Sequence, residues 1–172
     1  MRPVILDGHN DLALRVWLGQ EPVHIALATA GEAGFDGGFF ALSAVGGPFE
    51  HPTGVPYELP LDEPVPFERA LADVEGELAA LEGLDVSVVR RVEDIRPGRV
   101  NAIVHFEGAE AIAPDLSNLE DWFDRGLRSL GIVWSRPNAF GEGVPFRFPS
   151  SPDTGGGLTG AVSARNCRGA VG

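Results

Sequence analysis

His9-Asn10-Asp11 and His105-Phe106-Glu107 are the two places in this sequence where a histidine precedes a carboxylate by two positions. In extended backbone alternate side chains share a face, so each pair points one way. Imidazole nitrogen and carboxylate oxygen together are a donor set for a metal such as zinc. Taken singly, each pair also has an ordinary structural explanation: Asp11 can cap a following helix, and a histidine inside a barrel can bond to a neighbour. Two strands that deliver the same chemistry to one rim are harder to explain as packing, because a buried charge without a partner is costly. His24 and His51 stand in loop-like contexts and read as solvated side chains.

The elements that must position these pairs follow from local pattern. Val4-Ile5-Leu6, ended by Asp7-Gly8, reads as a strand buried on both faces, which suits a parallel sheet under helices. A second apolar run spans Phe35 to Ser43, and the stretch from Gly46 to Pro66, with six prolines, reads as a long surface loop. Phe67, Leu71, Val74, Leu78 and Leu81 recur at helical spacing between Pro66 and Gly83, which predicts a helix over Phe67–Glu82. Strands are expected at Val86–Val89, Asn101–Phe106 and Leu130–Trp134, with a helical turn around Val92–Ile95. Ser117-Asn118-Leu119-Glu120 has the form of a capping box opening a short helix that Gly126 closes. Strands alternating with helices are the signature of an α/β fold with parallel strands. Both His-x-carboxylate pairs then fall at strand C-terminal ends, where α/β barrels keep their reactive groups.

Composition removes other function classes. Thirteen basic against 25 acidic residues leave a net charge of −12, so no nucleic-acid partner and no anionic membrane surface is expected. The single cysteine, Cys167, permits neither an internal disulfide nor a thiolate zinc cluster, so a metal site must be built from His and carboxylates. The apolar run at the start is too short for a signal peptide and no stretch approaches the roughly 20 apolar residues of a membrane span, so a cytoplasmic protein without a membrane anchor is expected. At 172 residues the chain is shorter than a complete eight-unit barrel of roughly 250.

Asp7-Gly8-His9-Asn10-Asp11-Leu12 resembles the opening motif of the membrane (renal-type) dipeptidases, zinc enzymes of the amidohydrolase-like barrel group. Three further segments fit in order. Phe106-Glu107-Gly108 resembles the family's glutamate-glycine motif at a strand end. Leu127 to Gly143, with Leu130-Gly131-Ile132, Ser135, Asn138-Ala139-Phe140 and Gly143, resembles its active-site strand and loop, and Gly157-Leu158-Thr159 resembles the segment before its next helix. The resemblance runs from residue 3 to about 161 and implies an α/β fold that is about the first half of a TIM-type (β/α) barrel. It implies that His9 and Asp11 are ligands of one zinc and that Glu107 bridges a pair. The metals would activate a water that attacks the carbonyl of a dipeptide substrate.

In this resemblance Trp134 takes the place where many members carry a substrate-contacting histidine, which makes Trp134 the candidate substrate-binding residue. The family's two further zinc histidines, and a basic residue and an aspartate that engage substrate, belong to later strands that this sequence does not reach. The organisation expected is therefore residues 1–160 as the N-terminal half of a dipeptidase-like barrel, with 161–172 an atypical disordered tail left by a frameshift or truncation. The alternative expectation is an inactive remnant: a half-barrel that binds metal and self-associates through its open sheet edges without catalysis.

Overall fold

The structure, a computed structural model, describes residues 2–20, 25–46, 54–59, 63–144, 146–149 and 157–160. In chain order the elements are β1 (Asp7–Asn10), α1 (Leu12–Trp17), α2 (Leu27–Ala30), β2 (Gly37–Leu42), β3 (Tyr57–Leu59), α3 (Phe67–Glu82) and β4 (Ser87–Val88). A 3₁₀ turn at Val92–Asp94 leads to β5 (Asn101–Glu107), α4 (Leu119–Arg125), β6 (Leu127–Gly131) and β7 (Phe146–Phe148). Five strands form one parallel sheet: β1 pairs with β2, β2 with β5, and the other edge of β5 takes β4 at its start and β6 at its end. This mixed α/β architecture, strands alternating with helices around a parallel sheet, is the one the sequence pattern predicts.

Burial along β5 alternates. Ala102, Val104 and Phe106 are buried, whereas Ile103, His105 and Glu107 are only partly so. The first set packs with Phe40 and Leu42 of β2, with Leu12 of α1 and with Leu78 and Leu81 of α3 in the hydrophobic core, and the Phe106 ring meets Trp122 of α4 edge-on at 5.0 Å. The second set lies on the opposite face, beside Ala41 of β2 and Ser129 of β6. Because the strands are parallel, that face carries His9, Ser43 and Glu107 to one end of the sheet.

Close strand approach rests on Gly37-Gly38. A Cβ on Gly37, whose φ is +131°, would overlap the Asn101 carbonyl, and one on Gly38 would lie 2.7 Å from the Asp7 Cβ and carbonyl oxygen. Only glycine fits between β1 and β5 there.

Several sequence expectations need correction. The first strand is Asp7–Asn10 and not Val4–Leu6; Val4, Ile5 and Leu6 are 43%, 55% and 37% exposed. They lie ahead of the β1–β2 pairing, which begins at Asp7, and Ile5 is held instead through its N–H on the Asp36 carboxylate. The strand placed at Leu130–Trp134 runs over Leu127–Gly131, directly after Gly126, whose φ of +118° turns the chain out of α4. The cap of α4 is Asn118, not Ser117: its amide spends itself on Ala113 N–H and the Ala111 carbonyl, and no side-chain cap bond forms. The Gly46–Pro66 loop contains β3, which pairs antiparallel with β7 through Tyr57↔Phe148 and Leu59↔Phe146.

The helix over Phe67–Glu82 and the turn at Val92–Asp94 stand where the pattern puts them. Gly157–Gly160 is tied back to the loop after β6, with Thr159 N–H on Phe140 O at 2.9 Å and its hydroxyl on Ala139 O at 2.7 Å. His24, His51, Cys167 and the tail 161–172 lie outside the described residues. Among the described residues no helix is long and apolar enough to cross a membrane.

Candidate metal centre

Asp11 follows β1 and stands at the N-cap of α1, but its side chain makes no cap bond. Asn10 does that work: its Oδ1 accepts Leu12 N–H at 3.2 Å while its amide donates to Asp7 and to the Phe39 carbonyl. The Asp11 carboxylate is thereby left to the histidine two positions back, with Oδ1 3.1 Å from His9 Nε2. The same Nε2 lies 3.8 Å from Oε1 of Glu107, at the end of β5. One donor atom from each of the three residues falls within 4.8 Å of the others.

These residues fit a metal. Bonds of about 2.0–2.2 Å to a shared tetrahedral centre put donors roughly 3.3–3.6 Å apart, and the two spacings from His9, 3.1 and 3.8 Å, bracket that range. The donors are reachable, with side chains 42%, 47% and 30% exposed for His9, Asp11 and Glu107. Burial raises the Glu107 carboxyl above its ordinary range, His9 opposes this, and the Asp11 charge adds to it. A cation among the three would relieve that repulsion.

His105 is beside this group but not in it. Its Nδ1 bonds to Ser129 Oγ at 2.9 Å, and its ring meets those of His9 and Phe39 edge-on at 5.9 and 6.4 Å. Burial, with His9 nearby, lowers the pKa of His105 and favours the neutral ring. This is the neighbour-bonded arrangement that competes with ligation for a histidine on such a strand.

All three donors open into a cavity of about 320 Å³, walled by Ser43–Val45 after β2, by Glu110, and by Trp134, Arg136 and Phe146. Trp134 packs its ring against Phe146 at 5.4 Å, so the two-stranded ribbon β3–β7 supports that wall. A larger hollow of about 730 Å³ runs along the free edge of β1 past Ile5, Leu6, Ile25 and Phe35. It touches His9 and Asp11 but not Glu107, so the smaller cavity is the one that unites the donors.

Sequence reasoning missed the layer behind the wall. Asp73 and Glu77 of α3 are 2% and 0% exposed, and they accept the N–H groups of Gly46 at 3.1 Å and Ser43 at 3.0 Å. Both fall on the stripe Ala70, Val74, Leu78, Leu81, and charge on an apolar stripe was the available signal. Glu110 and Arg136 sit in irregular segments with no periodicity to mark them.

Known proteins share this framework. The chain superposes on dipeptidase AC, a metallopeptidase of family M19, with a TM-score of 0.75 and 40% identity over 91% of this chain and 50% of that one. It superposes on a metallopeptidase from Rhodobacter sphaeroides, solved with a phosphinate mimic of L-Ala-D-Ala, with a TM-score of 0.76 and 38% identity over 91% and 53% of the two chains. An uncharacterized protein in the PQQ-III 3′ region of Acinetobacter calcoaceticus is 35% identical over 90% of this chain and 56% of its own length. The chain thus spans about half the length of these relatives. With residues 1–162 matching the family model, the chain belongs to the membrane dipeptidase family, peptidase family M19.

Proposed function

We propose that this chain carries the metal-binding end of a zinc-dependent dipeptidase, in which His9, Asp11 and Glu107 would hold zinc and Glu107 would be the ligand shared with a second ion. The observation that carries the reading is the convergence of three donor atoms from two parallel strand ends on one cavity. Zinc, when bound, supplies Lewis-acid activation of water and of the scissile carbonyl. The chain's own residues do the rest. Asn10 fixes the turn that points Asp11 at His9, and β5 holds Glu107 opposite. Trp134 and Phe146 offer an apolar wall to a substrate side chain. A cavity of about 320 Å³ suits a small ligand such as a dipeptide. The Rhodobacter relative, bound to a dipeptide mimic, supports the substrate class.

The test is zinc content per chain after dialysis together with hydrolysis of L-Xaa-L-Xaa and L-Xaa-D-Xaa dipeptides. Asp11→Asn and Glu107→Gln should each weaken zinc binding by more than the roughly 10–100-fold that loss of a ligand's hydrogen-bond partner costs, and should abolish turnover. Sub-stoichiometric zinc with no turnover in the parent chain would favour the non-catalytic remnant instead. That second reading has its own support, since the described residues bring only three donors together.

A further inference from the structure

Asp73 and Glu77 lie one turn apart on α3, on the apolar stripe with Ala70, Val74, Leu78 and Leu81, and both are buried. A buried carboxylate is costly unless it is paired. Asp73 has Arg69, whose Nε donates to its Oδ1 at 2.6 Å. Glu77 has only the Ser43 N–H, and its Oε1 is enclosed without a partner among the described residues. Packing alone gives no reason for an acid at either position.

What the two acids hold is one short segment. Glu77 Oε2 accepts the Ser43 N–H at 3.0 Å and Asp73 Oδ2 accepts the Gly46 N–H at 3.1 Å. Carboxylates from successive turns of one helix thus clamp both ends of the chain that leaves β2. Between the clamps lie Ala44 and Val45, which with Ser43 wall the metal-centre cavity, and just beyond them the chain turns through Gly46 at φ +69°. From the same wall Arg136 Nη2 donates to the Val45 carbonyl at 3.4 Å. Arg136 also acts on Glu110, whose pKa burial raises and the guanidinium charge helps to hold down. Among the described residues two enclosed side-chain atoms lack a hydrogen-bond partner, Glu77 Oε1 and Arg136 Nε, and both side chains bond to this segment. Such orphaned atoms are few in folded proteins and call for a reason beyond packing.

We propose that Glu77 and Asp73 are positioning residues for ligand binding: through the Ser43 and Gly46 N–H groups they hold the Ser43–Val45 wall at the distance from the metal donors that a dipeptide needs. The proposal rests on the dipeptidase reading and adds to it two residues outside the cavity lining. A wall already fixed in its bound position spares the ligand the cost of ordering it, and that saving appears as affinity. Removing either acceptor frees one end of the segment, whose N–H then turns toward water and takes Ala44 and Val45 with it.

Calorimetry on the full 172-residue chain tests this, titrating zinc chloride first and Ala-Ala second. Glu77→Met removes the acceptor at nearly constant volume and should weaken Ala-Ala binding about tenfold, the scale of one hydrogen bond left unmade. Asp73→Leu reads the same wall through Gly46, should act in the same direction, and decides the matter if Glu77→Met does not fold. Glu77→Gln and Asp73→Asn keep an acceptor and should stay within about threefold of the parent. Zinc affinity should stay within about threefold throughout, because no donor is touched. Val74→Ala is the control for lost stability alone: it truncates the core between the two acids, should lower the melting temperature, and should leave Ala-Ala affinity as in the parent. Undiminished Ala-Ala affinity without the acceptors, an equal loss in Val74→Ala, or a parallel loss of zinc affinity overturns the inference and leaves the dipeptidase reading standing. If the parent does not bind Ala-Ala, both fall.

Discussion

Glu77 is the most confined ionisable side chain near the metal centre. It is 0% exposed, Oε2 accepts the Ser43 N–H, and Oε1 has no partner among the described residues. Burial is the main cause of its pKa rising from 4.5 to about 8; the Ser43 N–H opposes this, and the charges of Asp73, Asp11 and Glu107 add to it. The sign follows from linkage. A carboxyl whose pKa is higher folded than unfolded contributes stability that is fully present below about 4.5 and lost as pH rises through about 8. Glu77→Gln keeps the volume and an acceptor for Ser43 but does not titrate. Urea unfolding across pH 5 to 8.5 should therefore show stability falling with pH in the parent and a visibly flatter profile in the variant; equal slopes would refute the assignment. At this scale the sequence was half legible. His9, Asp11 and Glu107 announce themselves by residue type and spacing, whereas the backbone groups that Asp73 and Glu77 hold lie about 30 residues away and leave no local mark.

The elements divide by whether their cause is local. Helix α3 is readable to its ends because a five-member stripe lies within it and Pro66 and Gly83 flank it directly. The first strand was misplaced because apolar residues do not decide strand extent; pairing does, and Gly38 is what lets Asp7 dock. Ribbon β3–β7 was invisible, since its partners are some 90 residues apart. The glycine pair makes a prediction at this level. Gly37→Ala asks for a Cβ at φ +131° against the Asn101 carbonyl, and should cost at least about 2 kcal/mol in unfolding free energy. Gly8→Ala, where no atom lies within 4 Å of the added Cβ, is the matched control and should cost much less in the same thermal melt. Equal losses would remove close strand approach as the reason for glycine.

Seen whole, the sheet has two open edges among the described residues: β1 at one side, and β4 and β6, which share the far edge of β5, at the other. Beside them Ile5 is 55%, Leu130 39% and Phe123 53% exposed. Unpaired backbone next to apolar side chains favours association. Sedimentation should show concentration-dependent self-association of this chain, and the double variant Ile5→Lys, Leu130→Lys should shift it toward monomer; a parent that stays monomeric at every concentration would refute this. The placement of the donors relative to these edges has a thermodynamic consequence. Glu107 ends β5, an interior strand with neighbours on both sides, whereas His9 and Asp11 belong to or follow β1, an edge strand with one neighbour. A cation held by all three is a cross-link from a constrained segment to one free to fray. Its measured affinity must then include the entropy lost in quieting β1, so a substitution that merely loosens that edge weakens metal binding without touching a ligand.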